Sequence, residues 1–110
     1  MRQEVCSSEE LQVNQPVRVV LDGQPIAVVR DSAGEVFAIG DTCSHGNVSL
    51  AEGFVEDDTL ECWAHGSRFS LRTGIPLTLP AYEPVPVYGI VEENGKIFVD
   101  PQEKTLAEDY

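Results

Sequence analysis

The chain has little histidine, methionine or tryptophan, few cations, and no long apolar run. Its 110 residues include two histidines, three cysteines, one methionine and one tryptophan. Seven lysines and arginines stand against nineteen acidic residues, giving a net charge of −12. Phosphate binding draws on clustered lysine and arginine, so nucleic acid and anionic membrane surfaces are excluded as natural partners. No apolar stretch approaches the roughly 20 residues that span a bilayer. The start, Met1-Arg2-Gln3-Glu4 followed by Ser7-Ser8-Glu9-Glu10, lacks the apolar centre of a secretory signal. There is no glycine-rich nucleotide fingerprint, which argues against NADH or flavin bound by the chain itself. An odd, small number of cysteines argues against a secreted disulfide scaffold. These absences together predict a soluble, cytoplasmic protein, and the length predicts one domain over residues 1–110.

What is present reads as β-structure. Val17 to Leu21 is a β-branched run ended by Asp22-Gly23, a tight-turn signal. Ile26-Ala27-Val28-Val29 follows, then turn-rich Asp31-Ser32-Ala33-Gly34, then Val36-Phe37-Ala38-Ile39, which predicts a three-strand meander. From Gly40 to about Ala81 glycine-rich loops alternate with short strands near Thr59-Leu60-Glu61 and Arg68-Phe69-Ser70-Leu71, with Arg72-Thr73-Gly74 as a turn. Val85 to Val91 reads as a strand, and Asn94-Gly95 turns it into a final hairpin strand, Lys96-Ile97-Phe98-Val99. Ser7-x-x-Glu10 has the form of a capping box for one short helical turn. Residues 101–110, polar and acidic, are expected to fray. The expectation is an all-β domain with a loop-rich insertion over residues 40–81.

The scarce soft ligands fall almost wholly in that insertion. Cys43-Ser44-His45 and Cys62-Trp63-Ala64-His65 each supply one cysteine and one histidine, and each histidine is followed by glycine. Glycine lets backbone approach a bound group closely and adopt positive φ. Thiolate and imidazole together suit iron or zinc. Two cysteines on one iron and two histidines on the other is the ligation of a Rieske [2Fe–2S] centre. A Cys2His2 zinc site has the same donors, but structural zinc motifs usually pair cysteine with cysteine and histidine with histidine. A Cys–His nucleophilic pair leaves the duplication unexplained. Cys6 stands apart and reads as a half-buried free thiol with no assigned role.

On these two motifs the sequence resembles the Rieske family, over roughly Val17 to Asp100. The resemblance implies small antiparallel sheets with a cluster-binding subdomain inserted into a base domain. It also implies one [2Fe–2S] cluster, with Cys43 and Cys62 on the buried iron and His45 and His65 on the outer one. Leu79-Pro80-Ala81 matches a proline-bearing loop that covers the cluster, or is a plain turn before Val85. Trp63 either shields the cluster or packs as an ordinary loop residue. High-potential respiratory members carry an extra cysteine in each loop; here Val48 and Ala64 stand there, so that disulfide is excluded. Ser67 matches a serine that donates to cluster sulfur, whereas Phe69 replaces a donor tyrosine. Fewer donors leave the reduced cluster less stabilised, which places the potential near the low end of the range, about −150 rather than +300 mV.

The sequence looks most like the ferredoxin component of bacterial aromatic-ring dioxygenases, an electron carrier rather than an enzyme. The partners so implied are a flavin-dependent NAD(P)H reductase and a terminal oxygenase. The small relay subunit of a nitrite reductase, and a stand-alone ferredoxin linked to iron–sulfur assembly, are the alternatives. Glu56, Asp57 and Asp58 precede the second ligand loop and form the expected acidic docking patch, with Glu103, Glu108 and Asp109 outside it.

Overall fold

The computed structural model describes residues 2–44, 48–64, 66–78 and 83–106. Among them lie nine β-strands and one 3-10 turn of helix, Leu50–Glu52. The strands are β1 (Gln3–Ser7), β2 (Val17–Leu21), β3 (Gln24–Arg30), β4 (Val36–Gly40), β5 (Phe54–Glu56), β6 (Thr59–Glu61), β7 (Arg68–Ser70), β8 (Val87–Glu93) and β9 (Lys96–Thr105). Six of them form one antiparallel sheet in the order β1-β9-β8-β4-β3-β2, and β5-β6-β7 form a second. The all-β expectation holds, and no helix among the described residues is long and apolar enough to cross a membrane.

The continuous apolar run of β3 has a structural cause. Ile26 and Val28 face one hydrophobic cluster with Leu11, Tyr88, Ile97 and Val99. Ala27 and Val29 face the other, with Phe37 and Ile39 of β4 and with Leu50, Leu60 and Phe69 of the insertion. A strand covered on both faces cannot alternate apolar with polar residues. The insertion is therefore held to the large sheet by shared core. Each fully buried Ile, Leu or Phe contributes roughly 1.5–3 kcal/mol on the basis of area removed from water.

Both predicted hairpin turns are present. Asp22 and Gly23, and Asn94 and Gly95, all have positive φ, as a two-residue loop matching the twist of its strands requires. Three local expectations need correction. Residues 101–105 do not fray: β9 continues to Thr105, pairing Thr105 with Val87 and Lys104 with Tyr88. A bulge between Tyr88 and Gly89 accommodates the extra residues. Gln24 ties this segment down, donating to the Pro101 carbonyl and accepting from Tyr88 Oη and Lys104 Nζ. Polarity there marks a wet edge, not disorder.

Ser7 and Glu10 do form the reciprocal bonds of a capping box, backbone to side chain each way. They close a turn rather than a helix, because Ser7 ends β1, which pairs with β9. The strand expected from Val85, β8, starts at Val87, since the Val85 N–H is taken by the Gly74 carbonyl. β5 had no separate sequence signal; it exists by pairing with β6, Phe54 opposite Glu61.

Gly74 is where the insertion turns back toward the large sheet. Its φ is +74°, and a Cβ added there would run into the Val85 carbonyl oxygen. Gly74→Ala combines a left-handed backbone with overpacking, and an unfolding free energy lower by about 2–4 kcal/mol is expected. A urea-melt midpoint within error of the parent would contradict this.

Candidate metal centre

Asp41 sets the base of the Cys43 loop. Its backbone carbonyl accepts from Leu50 N–H at 2.6 Å, and its buried carboxylate accepts from Ala51 N–H at 2.9 Å and from Arg18 Nε at 3.1 Å. Thr42 bridges Ser49 one step further in, and Cys43 N–H donates to the Val48 carbonyl at 3.0 Å. The loop is thus zipped on three successive rungs, of which Cys43 to Val48 is the innermost.

The second loop repeats the plan. Glu61 of β6 pairs with Arg68 of β7, and Cys62 N–H donates to the Ser67 carbonyl at 2.7 Å. Cys43 to Val48 and Cys62 to Ser67 are the same step in sequence, so each cysteine opens a loop closed by an equivalent bond. Gly66, at φ +77°, donates back to the Cys62 carbonyl at 2.9 Å. Thr78 Oγ1 supports the loop from outside, accepting from Arg68 N–H and donating to the Gly66 carbonyl.

Both cysteines are buried and neither forms a disulfide, and both belong to one hydrophobic cluster with Leu50, Leu60, Phe69 and Leu71. Two unbridged thiols brought together at the mouths of matched loops are a donor set suited to iron, since soft thiolate favours Fe–S chemistry. His45, His65 and the Leu79-Pro80-Ala81 segment lie outside the described residues. Ser67 and Phe69 are fully buried, Phe69 within the same cluster as the two cysteines. Trp63 is exposed rather than packed, which corrects the ordinary-packing reading of it.

Sequence reasoning missed Asp41 and Ser44. An aspartate directly before Thr42-Cys43 was a usable signal, because a carboxylate at a loop base can accept several N–H bonds. Ser44 Oγ donates to the Glu83 carbonyl at 2.6 Å, tying the first loop to the segment that enters β8. No sequence pattern marks that long-range bond.

The acidic residues 56–58 are not all open charge. Glu56 lies 3.5 Å from Arg68, and Asp58 lies 3.1 Å from Arg72, so two of its three carboxylates are paired. Arg72 also holds Glu35 with two hydrogen bonds, keeping that carboxyl below its ordinary range and fastening the insertion to the β3–β4 turn. Away from the site, burial raises the Cys6 thiol above its usual value, which suits an inert side chain.

Residues 1–89 match the family described as Rieske [2Fe-2S] domain. The chain belongs to the Rieske family. The 3-phenylpropionate/cinnamic acid dioxygenase ferredoxin subunit of Escherichia coli K12 is 46% identical over 81 residues, covering 73% of this chain and 76% of that protein. Among solved structures, the ferredoxin in the complex of reduced oxygenase and oxidized ferredoxin of carbazole 1,9a-dioxygenase superposes with a TM-score of 0.87. It shares 34% identity, covering 96% of this chain and 97% of that one. A Mycobacterium tuberculosis structure designated the small subunit of an NADH-dependent nitrite reductase gives a TM-score of 0.82 and 26% identity, covering 98% and 97%. This Rieske chain is an electron-transfer component that carries a Rieske-type [2Fe–2S] cluster, and the expected carrier role stands.

Proposed function

We propose that Cys43, His45, Cys62 and His65 hold this cluster within a single Rieske domain whose cluster-binding part spans about residues 40–81. In this reading the chain carries single electrons in the cytoplasm, from a flavin-dependent NAD(P)H reductase to a terminal Rieske oxygenase. The observation that supports it most is the matched closure of the two cysteine loops over one shared core, Cys43 to Val48 and Cys62 to Ser67. When bound, the cluster supplies a one-electron couple. The chain's own residues set the rest: the loop backbone orients the donors, and the buried apolar cluster keeps water from the thiols. Similarity to a dioxygenase ferredoxin subunit at 46% identity favours an oxygenase as acceptor. The 26% similarity to a nitrite reductase small subunit keeps a relay subunit as the second reading. Purified protein should contain two irons and two acid-labile sulfides, and reduce an oxygenase Rieske centre in rapid mixing. One zinc per chain and no sulfide would defeat the reading.

Phe69 gives a directional test of the potential. It is fully buried beside both cysteines and has no hydroxyl. Phe69→Tyr is expected to raise the midpoint potential by some tens of millivolts, because a donor near a cluster thiolate favours the added electron. A hydrogen bond to a charged group is worth about 1.5–3 kcal/mol, only its difference between oxidation states counts, and 59 mV is tenfold for one electron. A lowered potential in film voltammetry, with the hydroxyl seen toward the cluster, would refute the account.

A further inference from the structure

The outward face of the small sheet carries a row of four residues with apolar ends beside the Cys62 loop. Phe54 pairs with Glu61, Glu61 pairs with Arg68, and Leu77 N–H donates to the Arg68 carbonyl at 2.6 Å. These four residues are neighbours across the strands, spanning about 14 Å at ordinary strand spacing. Leu60 and Phe69, which alternate with them, are buried beneath. The row ends are open: Phe54 is 62% exposed and Leu77 56%. Trp63, two residues past Glu61 in the turn of the ligand loop, is 48% exposed. Phe54 and Trp63 are the large aromatic side chains left most open among the described residues, and both lie at this end.

We propose that Phe54, Leu77 and Trp63 are the apolar contacts, flanking the Glu61–Arg68 pair, of the surface on which the electron-accepting oxygenase docks. This rests on the carrier reading above. Three observations select the occupant. Arg68, the cation of the row, is held by Glu61 at 3.1 Å and by neighbouring Glu56 at 3.5 Å, so two carboxylates face one guanidinium and this face fits a partner surface rimmed with lysine and arginine. A second copy of the chain is disfavoured, because each copy carries a charge of −12. The small extent suits a transient redox encounter, which buries less than about 1,200 Å², and not an obligate dimer. Cys62 directly follows Glu61, so docking on this row brings the partner against the proposed cluster loop.

The test uses holo-ferredoxin reduced with dithionite and mixed in stopped flow with oxidised oxygenase from the Escherichia coli 3-phenylpropionate/cinnamic acid dioxygenase. The double variant Phe54→Ser/Leu77→Ser should lower the second-order rate at least tenfold while leaving the midpoint potential and the cluster spectrum unchanged. The control Val13→Ser/Val20→Ser, exposed positions beside and on the far edge strand β2, should stay within twofold of the parent. A Phe54/Leu77 rate within twofold of the parent, or an equal fall in the control, would overturn the proposal. So would a parent dimer in sedimentation that the Phe54/Leu77 substitutions dissociate, since a second copy would then be the occupant. Failure of the carrier reading shows separately, in the parent, as protein without iron and sulfide.

Discussion

Cys43→Ala and Cys62→Ala are each expected to yield colourless protein with less than a tenth of the parent's iron and acid-labile sulfide. Cys6→Ala should keep the full complement. The three cysteines differ in setting rather than chemistry. Cys43 and Cys62 are buried in one core cluster at the mouths of matched loops, whereas Cys6 is half-buried on β1, packed against the other core. An iron–sulfur cluster needs thiolate donors from its own loops, and removing either leaves an iron with half its thiolate ligation. His45→Leu and His65→Leu should cost the outer iron its donors and also lose the cluster. Iron and sulfide assays on protein purified without air give the answer. Retention of full iron by Cys62→Ala, or loss from Cys6→Ala, would mean that the cluster sits elsewhere.

Asp41→Ala should produce a large stability loss for a substitution outside the proposed ligands. The side chain accepts the Ala51 N–H at 2.9 Å and the Arg18 guanidinium at 3.1 Å while itself buried. Hydrogen bonds to a charged group are worth about 1.5–3 kcal/mol, and the half-exposed Arg18 pair adds up to about 1, so a loss of roughly 2–4 kcal/mol is expected. That is a large share of the roughly 5–15 kcal/mol that holds an ordinary domain together. Asp41→Asn keeps an acceptor for Ala51 and should lose only about 1 kcal/mol. The same order should appear in bleaching of the visible spectrum by EDTA, fastest in Asp41→Ala, because the carboxylate closes the base of the Cys43 loop. Equal urea midpoints for parent and Asp41→Ala would show that Leu50 N–H to the Asp41 backbone suffices.

The central strands were legible because their causes are local. Ile26 to Val29 reads as a strand from β-branched residues, and Asp22-Gly23 and Asn94-Gly95 announce their turns through residues that tolerate positive φ. The proposed ligand motifs stand out in the sequence because cysteine and histidine are rare here and fall together. What escaped depends on partners distant in sequence. β1, of which only Val5 and Cys6 are apolar, and the polar outer half of β9 depend on pairing with strands distant in sequence. The Ser44 bond to Glu83 joins residues with no shared local pattern. The acidic stretch at 56–58 looked like free charge, since sequence does not show that Arg68 and Arg72 lie within 4 Å of it.

The small sheet leaves the large one after Gly40 and returns before Val87, and Gly40 N–H donates to the Pro86 carbonyl at 2.8 Å. The two ends of the excursion are therefore stapled side by side by the β4–β8 pairing. Closing a long loop grows costlier only slowly, about 0.6 kcal/mol per doubling of its length. Residues could be added to or trimmed from the excursion at little entropic expense to the parent sheet. Such a graft point separates the evolution of electron chemistry from that of the scaffold: the excursion can change length and ligand surroundings while six strands keep their register.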